Sequence, residues 1–125
     1  HMEKKNLSEF TNGWVVGNFT PSVIKTDSCE VGIQSWGVGD YSEPHVHLIT
    51  NETNLVLNGL VEFKIQKMNS DEIPQVIQLK KNELLTIPSG YVTRFLSITD
   101  STLLIIKDQS KTYDKVIWNS FFISS

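Results

Sequence analysis

The chain has 125 residues and a formal net charge of −3, with 39% hydrophobic and 20% charged residues. These values are ordinary for one water-soluble domain that buries a core of its own. The absence of a basic patch or lysine-arginine run argues against nucleic acid as a partner. The longest apolar runs, such as Leu103–Ile106, are far too short to span a bilayer. Cys29 is the single cysteine, so no internal disulfide or oxidising compartment is required.

We therefore expect a cytoplasmic protein without a membrane or nucleic-acid partner. Residues 1–125 are predicted to form one domain, with a core that runs roughly from 14 to 107. His1 precedes Met2 and is interpreted as the remnant of an expression tag, so it is excluded from every argument about a site.

Apolar and polar residues alternate in about eight short stretches separated by turn residues, which is the pattern of β-strands rather than helices. The pattern predicts an antiparallel sandwich or barrel. Asn58-Gly59 lies between two of these stretches and predicts a tight hairpin. The predicted strands include Cys29–Ile33, Leu55–Leu57, Val61–Ile65, Val76–Leu79, Leu84–Ile87, Thr93–Ile98 and Thr102–Lys107.

The two ends of the chain lack this alternation. Met2–Phe10 is expected to form a short helix or an arm. The stretch from Thr112 to Ser125 ends in Trp118 and Phe121-Phe122, large apolar residues that need burial. We expect them to pack on the outside of the barrel or on a second subunit.

The only histidines besides His1 lie in the tripeptide His45-Val46-His47. Residues two apart in a strand point to the same face, so the two imidazoles can converge on one point. Glu52 is the next acidic residue along the chain. Two imidazoles and one carboxylate form the facial set of ligands that leaves coordination positions open on a metal ion. Fe, Mn, Ni and Zn are all chemically admissible as the divalent ion.

The segment that contains this set resembles the first conserved motif of the cupin superfamily. That motif is a glycine, five residues, His-x-His, three or four residues, a glutamate, six residues and a glycine. Gly39, His45, His47, Glu52 and Gly59 fill all five positions. The resemblance implies an all-β fold, an antiparallel β-barrel or jelly roll, with short irregular or helical termini.

The second cupin motif is matched in part. Pro88-Ser89-Gly90 fits its centre, whereas Asn82 replaces its first glycine. Thr93 stands where the motif has the histidine that completes the metal ligands, and Ser97 replaces the final asparagine. A neutral threonine hydroxyl is a weak donor to a transition metal, so this difference bears directly on whether metal is bound.

The segments Gly13–Phe19 and Ser22–Thr26 resemble the opening of small single-domain cupins associated with surface-polysaccharide or sugar-nucleotide pathways. The resemblance implies a small-molecule ligand and, because cupins commonly dimerise, a homodimer.

Three interpretations of the histidine pair remain open: a metal site formed by His45, His47 and Glu52, a ligand site without metal, and a polar core without a ligand. The pattern favours the first. Further residues predicted to line the pocket are Asn54, Thr93, Phe95, Trp36 and Tyr41.

Two functions follow from these interpretations. The first is a small cupin that binds a divalent metal inside the barrel and acts as a metal-dependent enzyme on a small, sugar-derived substrate. The second is a non-catalytic cupin that binds a small ligand without metal because Thr93 replaces the third histidine. A protein whose apolar C-terminal stretch serves assembly is a third class. The fold alone does not decide among these functions.

Overall fold

The computed structural model describes residues 2–111 and 114–118. The predicted burial of Phe121-Phe122 therefore lies outside the described residues. The described part of the chain contains eleven strands preceded by two single 3₁₀ turns, Leu7–Glu9 and Thr11–Gly13. The strands are β1 (Trp14–Gly17), β2 (Ile24–Lys25), β3 (Glu30–Trp36), β4 (His45–His47), β5 (Glu52–Asn58), β6 (Leu60–Lys67), β7 (Gln75–Lys80), β8 (Leu84–Ile87), β9 (Tyr91–Ser97), β10 (Ser101–Lys107) and β11 (Lys115–Ile117).

The strands form two sheets. The six-stranded sheet has the order β2-β1-β3-β10-β5-β8, and the five-stranded sheet has the order β11-β4-β9-β6-β7. Neighbouring strands are antiparallel except β1 and β2, which run parallel. The prediction of an all-β jelly roll is confirmed, with two separate sheets rather than one closed barrel in the described part of the chain.

The core lies between the two sheets because alternate residues of the central strands point inward. On β6, Val61, Phe63 and Ile65 are buried, and from the facing sheet Leu103 and Ile105 of β10 meet them in one apolar cluster. Each such side chain contributes about 1.5–3 kcal/mol through burial. This part of the fold follows directly from the alternation in the sequence.

The predicted hairpin at Asn58-Gly59 is wrong. β5 ends at Asn58 and belongs to the six-stranded sheet, whereas β6 begins at Leu60 and pairs with β7 and β9 in the other sheet. Gly59 has a φ of 96°, so it makes a corner at which the chain passes from one sheet to the other. An Asn-Gly pair signals tolerance of positive φ, but it does not show whether the flanking strands pair with each other.

The ends of the chain add to the sheets. The first 3₁₀ turn is capped by Asn6, whose side chain accepts the backbone N–H of Ser8, and Phe10 after this turn is buried. The segment before Trp118 forms β11, which the sequence pattern did not predict and which pairs with β4. The described helical segments are single turns, none of them long or apolar enough to cross a membrane.

We predict that Gly59→Ala destabilises the protein more than Gly39→Ala does. Both glycines have positive φ, 96° and 82°, so either alanine loses about 1 kcal/mol of folding free energy. A Cβ at Gly59 would also clash with the carbonyl oxygen of Asp100, whereas no atom lies within 4 Å of a Cβ at Gly39. That clash costs roughly a further 1–3 kcal/mol. Urea unfolding of the two variants measures the difference, and equal losses would contradict the corner at Gly59.

Candidate metal centre

The histidine pair lies on β4, the short strand between β11 and β9 in the five-stranded sheet. His45 and His47 point to one face, and Val46 between them is fully buried on the opposite face. Glu52 is the first residue of β5 in the six-stranded sheet, so its carboxylate reaches His47 from across the interior. The jelly roll thus brings residues from opposite sheets to one place.

His47 lies between two carboxylates. Its Nδ1 atom is 3.1 Å from Oδ2 of Asp114, and its Nε2 atom is 3.2 Å from Oε2 of Glu52. A neutral imidazole has a single N–H group, so it can donate to only one of them. Both contacts are favourable only when His47 is an imidazolium or when a cation lies between Nε2 and Glu52.

The second contact has the spacing of two ligands on one metal ion. Nitrogen and oxygen donors that lie about 2.1 Å from a metal and at right angles to each other are themselves about 3.0 Å apart. The separation of 3.2 Å between His47 and Glu52 fits this arrangement. Within the described residues, no group of three or more His, Cys, Asp or Glu side chains is already arranged to hold a metal ion. For His45 to bind the same metal ion as His47 and Glu52, its side chain would therefore have to rotate.

His45 carries its ring proton on Nδ1. Its Nδ1 atom lies 2.9 Å from the carbonyl oxygen of Glu43, which can only accept, so Nδ1 donates. Burial lowers the pKa of His45 below its usual value against the opposing effect of the Glu43 carbonyl, and the charge of Lys115 lowers it further. The ring is therefore neutral at pH 7, and the lone pair of its Nε2 atom is available to a metal or a ligand.

Both carboxylates that flank His47 are ionised. Burial acts to raise the pKa of Glu52, but the hydrogen bond from His47 and the charges of His47 and Lys107 outweigh it and hold that pKa below its usual value. Burial likewise acts to raise the pKa of Asp114, but hydrogen bonds from the Thr50 hydroxyl and the Ile49 N–H, together with His47, lower it. Ionised carboxylates and neutral imidazoles are the protonation states that a metal requires.

A cavity of about 760 Å³ opens beside these residues. Of the predicted pocket residues, Asn54, Thr93, Phe95 and Trp36 line it. Asn54 donates to Oε1 of Glu52 at 3.2 Å. Thr93 pairs with His45 across β9 and β4, which places it beside the histidine.

The remaining predicted residue, Tyr41, does not line this cavity. Its backbone makes an isolated antiparallel bridge with Leu96, and its side chain is 67% exposed. Trp36 packs against Phe95 with ring centroids 5.0 Å apart, so part of its surface serves the core rather than a ligand. Of these two aromatic residues predicted to line the pocket, Trp36 lines the cavity and Tyr41 does not.

Asp114 was missed by sequence reasoning. It precedes β11, and its carboxylate holds His47 while also accepting the backbone N–H groups of Ile49 and Thr50 and the Thr50 hydroxyl. No spacing rule links it to the histidines, because it lies far along the chain in a segment whose strand was not foreseen. The one feature of the sequence that could have indicated Asp114 is that this acidic residue stands next to a short stretch of alternating residues.

No protein-family model and no curated protein sequence matches the chain. Solved structures do resemble it. The capsular polysaccharide assembling protein CapF from Staphylococcus aureus matches with a TM-score of 0.67 and 25% identity over 78% of this chain and 30% of that one. A recombinant oxalate oxidase in complex with glycolate matches with a TM-score of 0.64 and 16% identity over 72% of this chain and 46% of that one.

The Drosophila melanogaster CENP-C cupin domain matches with a TM-score of 0.57 and 13% identity over 62% of this chain and 55% of that one. The protein therefore has the cupin fold, and the expected resemblance to the cupin superfamily is confirmed. This chain spans only 30% to 55% of the length of these three proteins.

We predict that Asp114→Asn weakens divalent-metal binding about 10- to 100-fold without unfolding the protein, as changes behind a metal-bound histidine typically do. When the amide oxygen accepts the Ile49 N–H as Asp114 does, the amide NH₂ faces Nδ1 of His47. That NH₂ donates to Nδ1 and moves the ring proton to Nε2, the atom that faces Glu52.

The matched control is Asp108→Asn, because Asp108 binds Asn51 in an exposed turn near the same loop. Zinc affinity, measured by competition with a chromogenic chelator, should be unchanged in this control. Equal affinity in the parent and in Asp114→Asn would argue against His47 as a ligand.

Proposed function

We propose that the protein binds a divalent metal ion through His45, His47 and Glu52 and holds a small, sugar-derived ligand in the adjoining cavity. The observation that supports this most is the position of His47, with an ionised carboxylate at each ring nitrogen. A cation at Nε2 would satisfy both the imidazole lone pair and the Glu52 carboxylate. The Asp114 contact on Nδ1 is the partner that metal-binding histidines usually have.

A metal held by two imidazoles and one carboxylate keeps positions open for oxygen atoms of a ligand. Thr93 adjoins His45, and its hydroxyl donates to the carbonyl oxygen of Tyr91 at 3.4 Å. A hydroxyl is a weaker metal ligand than an imidazole, so a ligand or water oxygen can take this position. When bound, the metal would act as a Lewis acid that polarises such an oxygen.

The cavity volume, about 760 Å³, lies in the range of sites for small organic molecules. Two similar structures contain compounds with adjacent oxygen donors, since oxalate oxidase was solved with glycolate and CapF with the inhibitor 3-isopropenyl-tropolone. CapF is described as a capsular polysaccharide assembling protein. These likenesses support a sugar-derived ligand here. Around the metal, Asn54 orients Glu52, and Phe95 and Phe63 wall the cavity with apolar surface.

A second candidate is a binding module without metal. The need for a rotation of His45 and the presence of Thr93 in place of a histidine favour it. In that case Asp114 and Glu52 hold the His47 ring in place, and Nε2 of His45 accepts a hydrogen bond from the ligand. Metal content separates the two candidates.

We predict that protein purified without chelator carries close to one divalent metal ion per chain, and that the His45→Ala, His47→Ala double variant carries none. Glu52→Gln keeps the size of the side chain but removes its charge, so it should retain only a minor fraction of the metal. Elemental analysis measures the content, and circular dichroism verifies that each variant folds. A parent that takes up none of Fe(II), Mn(II), Ni(II) and Zn(II) would overturn the metal proposal in favour of the second candidate.

The partner that we propose is a second copy of the chain. The six-stranded sheet carries apolar side chains in adjacent rows on its outer face, and the residues within each row pair directly across the strands. Uncharged rows of this kind suit an isologous contact between two copies. Three of the members, Ile24, Leu84 and Ile106, are exposed by 61%, 59% and 39%. The rows consist of Leu104, Leu55 and Leu84, and of Ile24, Val16, Val31 and Ile106.

We predict that the protein is a dimer and that Ile106→Lys converts it to a monomer, because a lysine there would be buried without a counter-charge in the interface. Ile73→Lys is the matched control, since Ile73 is 73% exposed in the loop between β6 and β7. Size-exclusion chromatography with light scattering measures the mass. A monomeric parent, or a dimer that survives Ile106→Lys, would argue against this face as the interface.

A further inference from the structure

The charge that faces the cavity is opposite in sign to that of the whole protein. The chain has a net charge of −3. Among the residues that line the cavity, however, Glu52 is the single carboxylate, whereas two lysines, Lys107 and Lys115, are present. A cavity with an excess of basic side chains inside an acidic protein attracts anions.

The two lysines are direct neighbours of the proposed metal ligands. Lys107 ends β10 and pairs with Glu52 across the six-stranded sheet. Lys115 begins β11 and pairs with His47 across the five-stranded sheet. Side chains of directly opposed residues start about 4.5–5.5 Å apart. One lysine therefore stands on each side of the metal centre, each contributed by a different sheet.

Lys107 is held in place. Its side chain is 16% exposed, and its ammonium lies 4.9 Å from the ring centroid of Trp14 and 3.7 Å from a carboxylate oxygen of Glu30. The contact with Glu30 is longer than a hydrogen bond, so the ammonium can still donate to a ligand. Because the Trp14 ring and Glu30 already restrict the side chain, a ligand that binds it loses less conformational entropy.

The charge balance supports an anionic ligand. A bound divalent metal ion and the two lysines together carry more positive charge than Glu52, Asp114 and Glu30 can neutralise. Asp114 and Glu30 are included in this sum although they do not line the cavity. Lys115 is exposed to solvent, so the excess acts by attracting an anion to the cavity rather than as a buried charge that needs a partner. A neutral sugar leaves that excess in place, whereas an anion removes it.

We propose that the ligand of the cavity is an acidic sugar derivative, whose carboxylate or phosphate binds at the metal centre between Lys107 and Lys115. This inference rests on the proposed function, because the metal supplies part of the positive charge. The oxyanion is the recognised group, and the remainder of the sugar lies against the apolar wall formed by Phe63 and Phe95.

The test uses zinc-loaded protein and four probes of similar size: glucuronate, a glucose phosphate, glucose and glucosamine. Isothermal titration calorimetry measures each affinity. We expect an acidic sugar to bind about tenfold or more tightly than glucose, and glucosamine to bind most weakly. Preference for glucuronate over the glucose phosphate assigns the anion as a carboxylate, and the reverse preference assigns it as a phosphate.

The variant is Lys107→Met, Lys115→Met, which keeps the length of both side chains and removes their charge. It should prefer acidic over neutral sugars clearly less than the parent does, because only the attraction of the metal remains, while the exposed-turn control Lys81→Met keeps the full preference of the parent. Zinc content is measured in every sample. Zinc-loaded parent that fails to prefer the acidic probes, or a double variant whose preference is undiminished, overturns this inference and leaves the metal proposal intact. Protein that holds no zinc overturns the metal proposal instead.

Discussion

The arrangement at the site depends on Asp114. One oxygen of its carboxylate accepts the backbone N–H groups of Ile49 and Thr50, and the other accepts the Thr50 hydroxyl and the Nδ1 proton of His47. The loop that it holds carries the chain from β4 in one sheet to β5 in the other. The same contact thus orients the His47 ring and positions Glu52 at the start of β5. A buried carboxylate with this many donors is stabilised in its charged form, and its loss would leave the N–H groups of Ile49 and Thr50 without this partner.

This dependence explains why the C-terminal strand matters to the centre of the protein. β11 contributes little apolar burial, since its three residues are exposed. Its pairing with β4 instead places Asp114 behind His47 and Lys115 beside it. The apolar cluster between the sheets supplies the stability, and the edge strand supplies the electrostatic surroundings of the site. The residues of the apolar cluster and those that surround the site lie in different parts of the sequence, so different sequence patterns indicate them.

Signals that are local in sequence predicted the structure well. Strict alternation in Val61–Ile65 and Thr102–Lys107 identified β6 and β10, and the spacing of His45 and His47 placed them on one face of a strand. Predictions failed where the structure depends on residues that are distant in the chain. The Asn58-Gly59 pair indicated a turn, but the choice between a hairpin and a change of sheet is made by inward-facing residues of both sheets. Tyr41 followed no rule of alternation, because it lies outside the named strands and makes only a single backbone bridge, to Leu96.

Thr93 connects the proposed metal site with the proposed ligand. A histidine at this position would add a third imidazole beside His45 and reduce the number of coordination sites open to oxygen donors. With threonine there, a bound metal would have fewer protein ligands, and Glu52 alone among the proposed donors would neutralise its positive charge. An anionic ligand would then have two reasons to bind at this point: an open coordination position and a charge that the protein would leave uncompensated. The lysines on either side add to the second reason, so the weaker protein ligation and the basic cavity favour the same class of ligand.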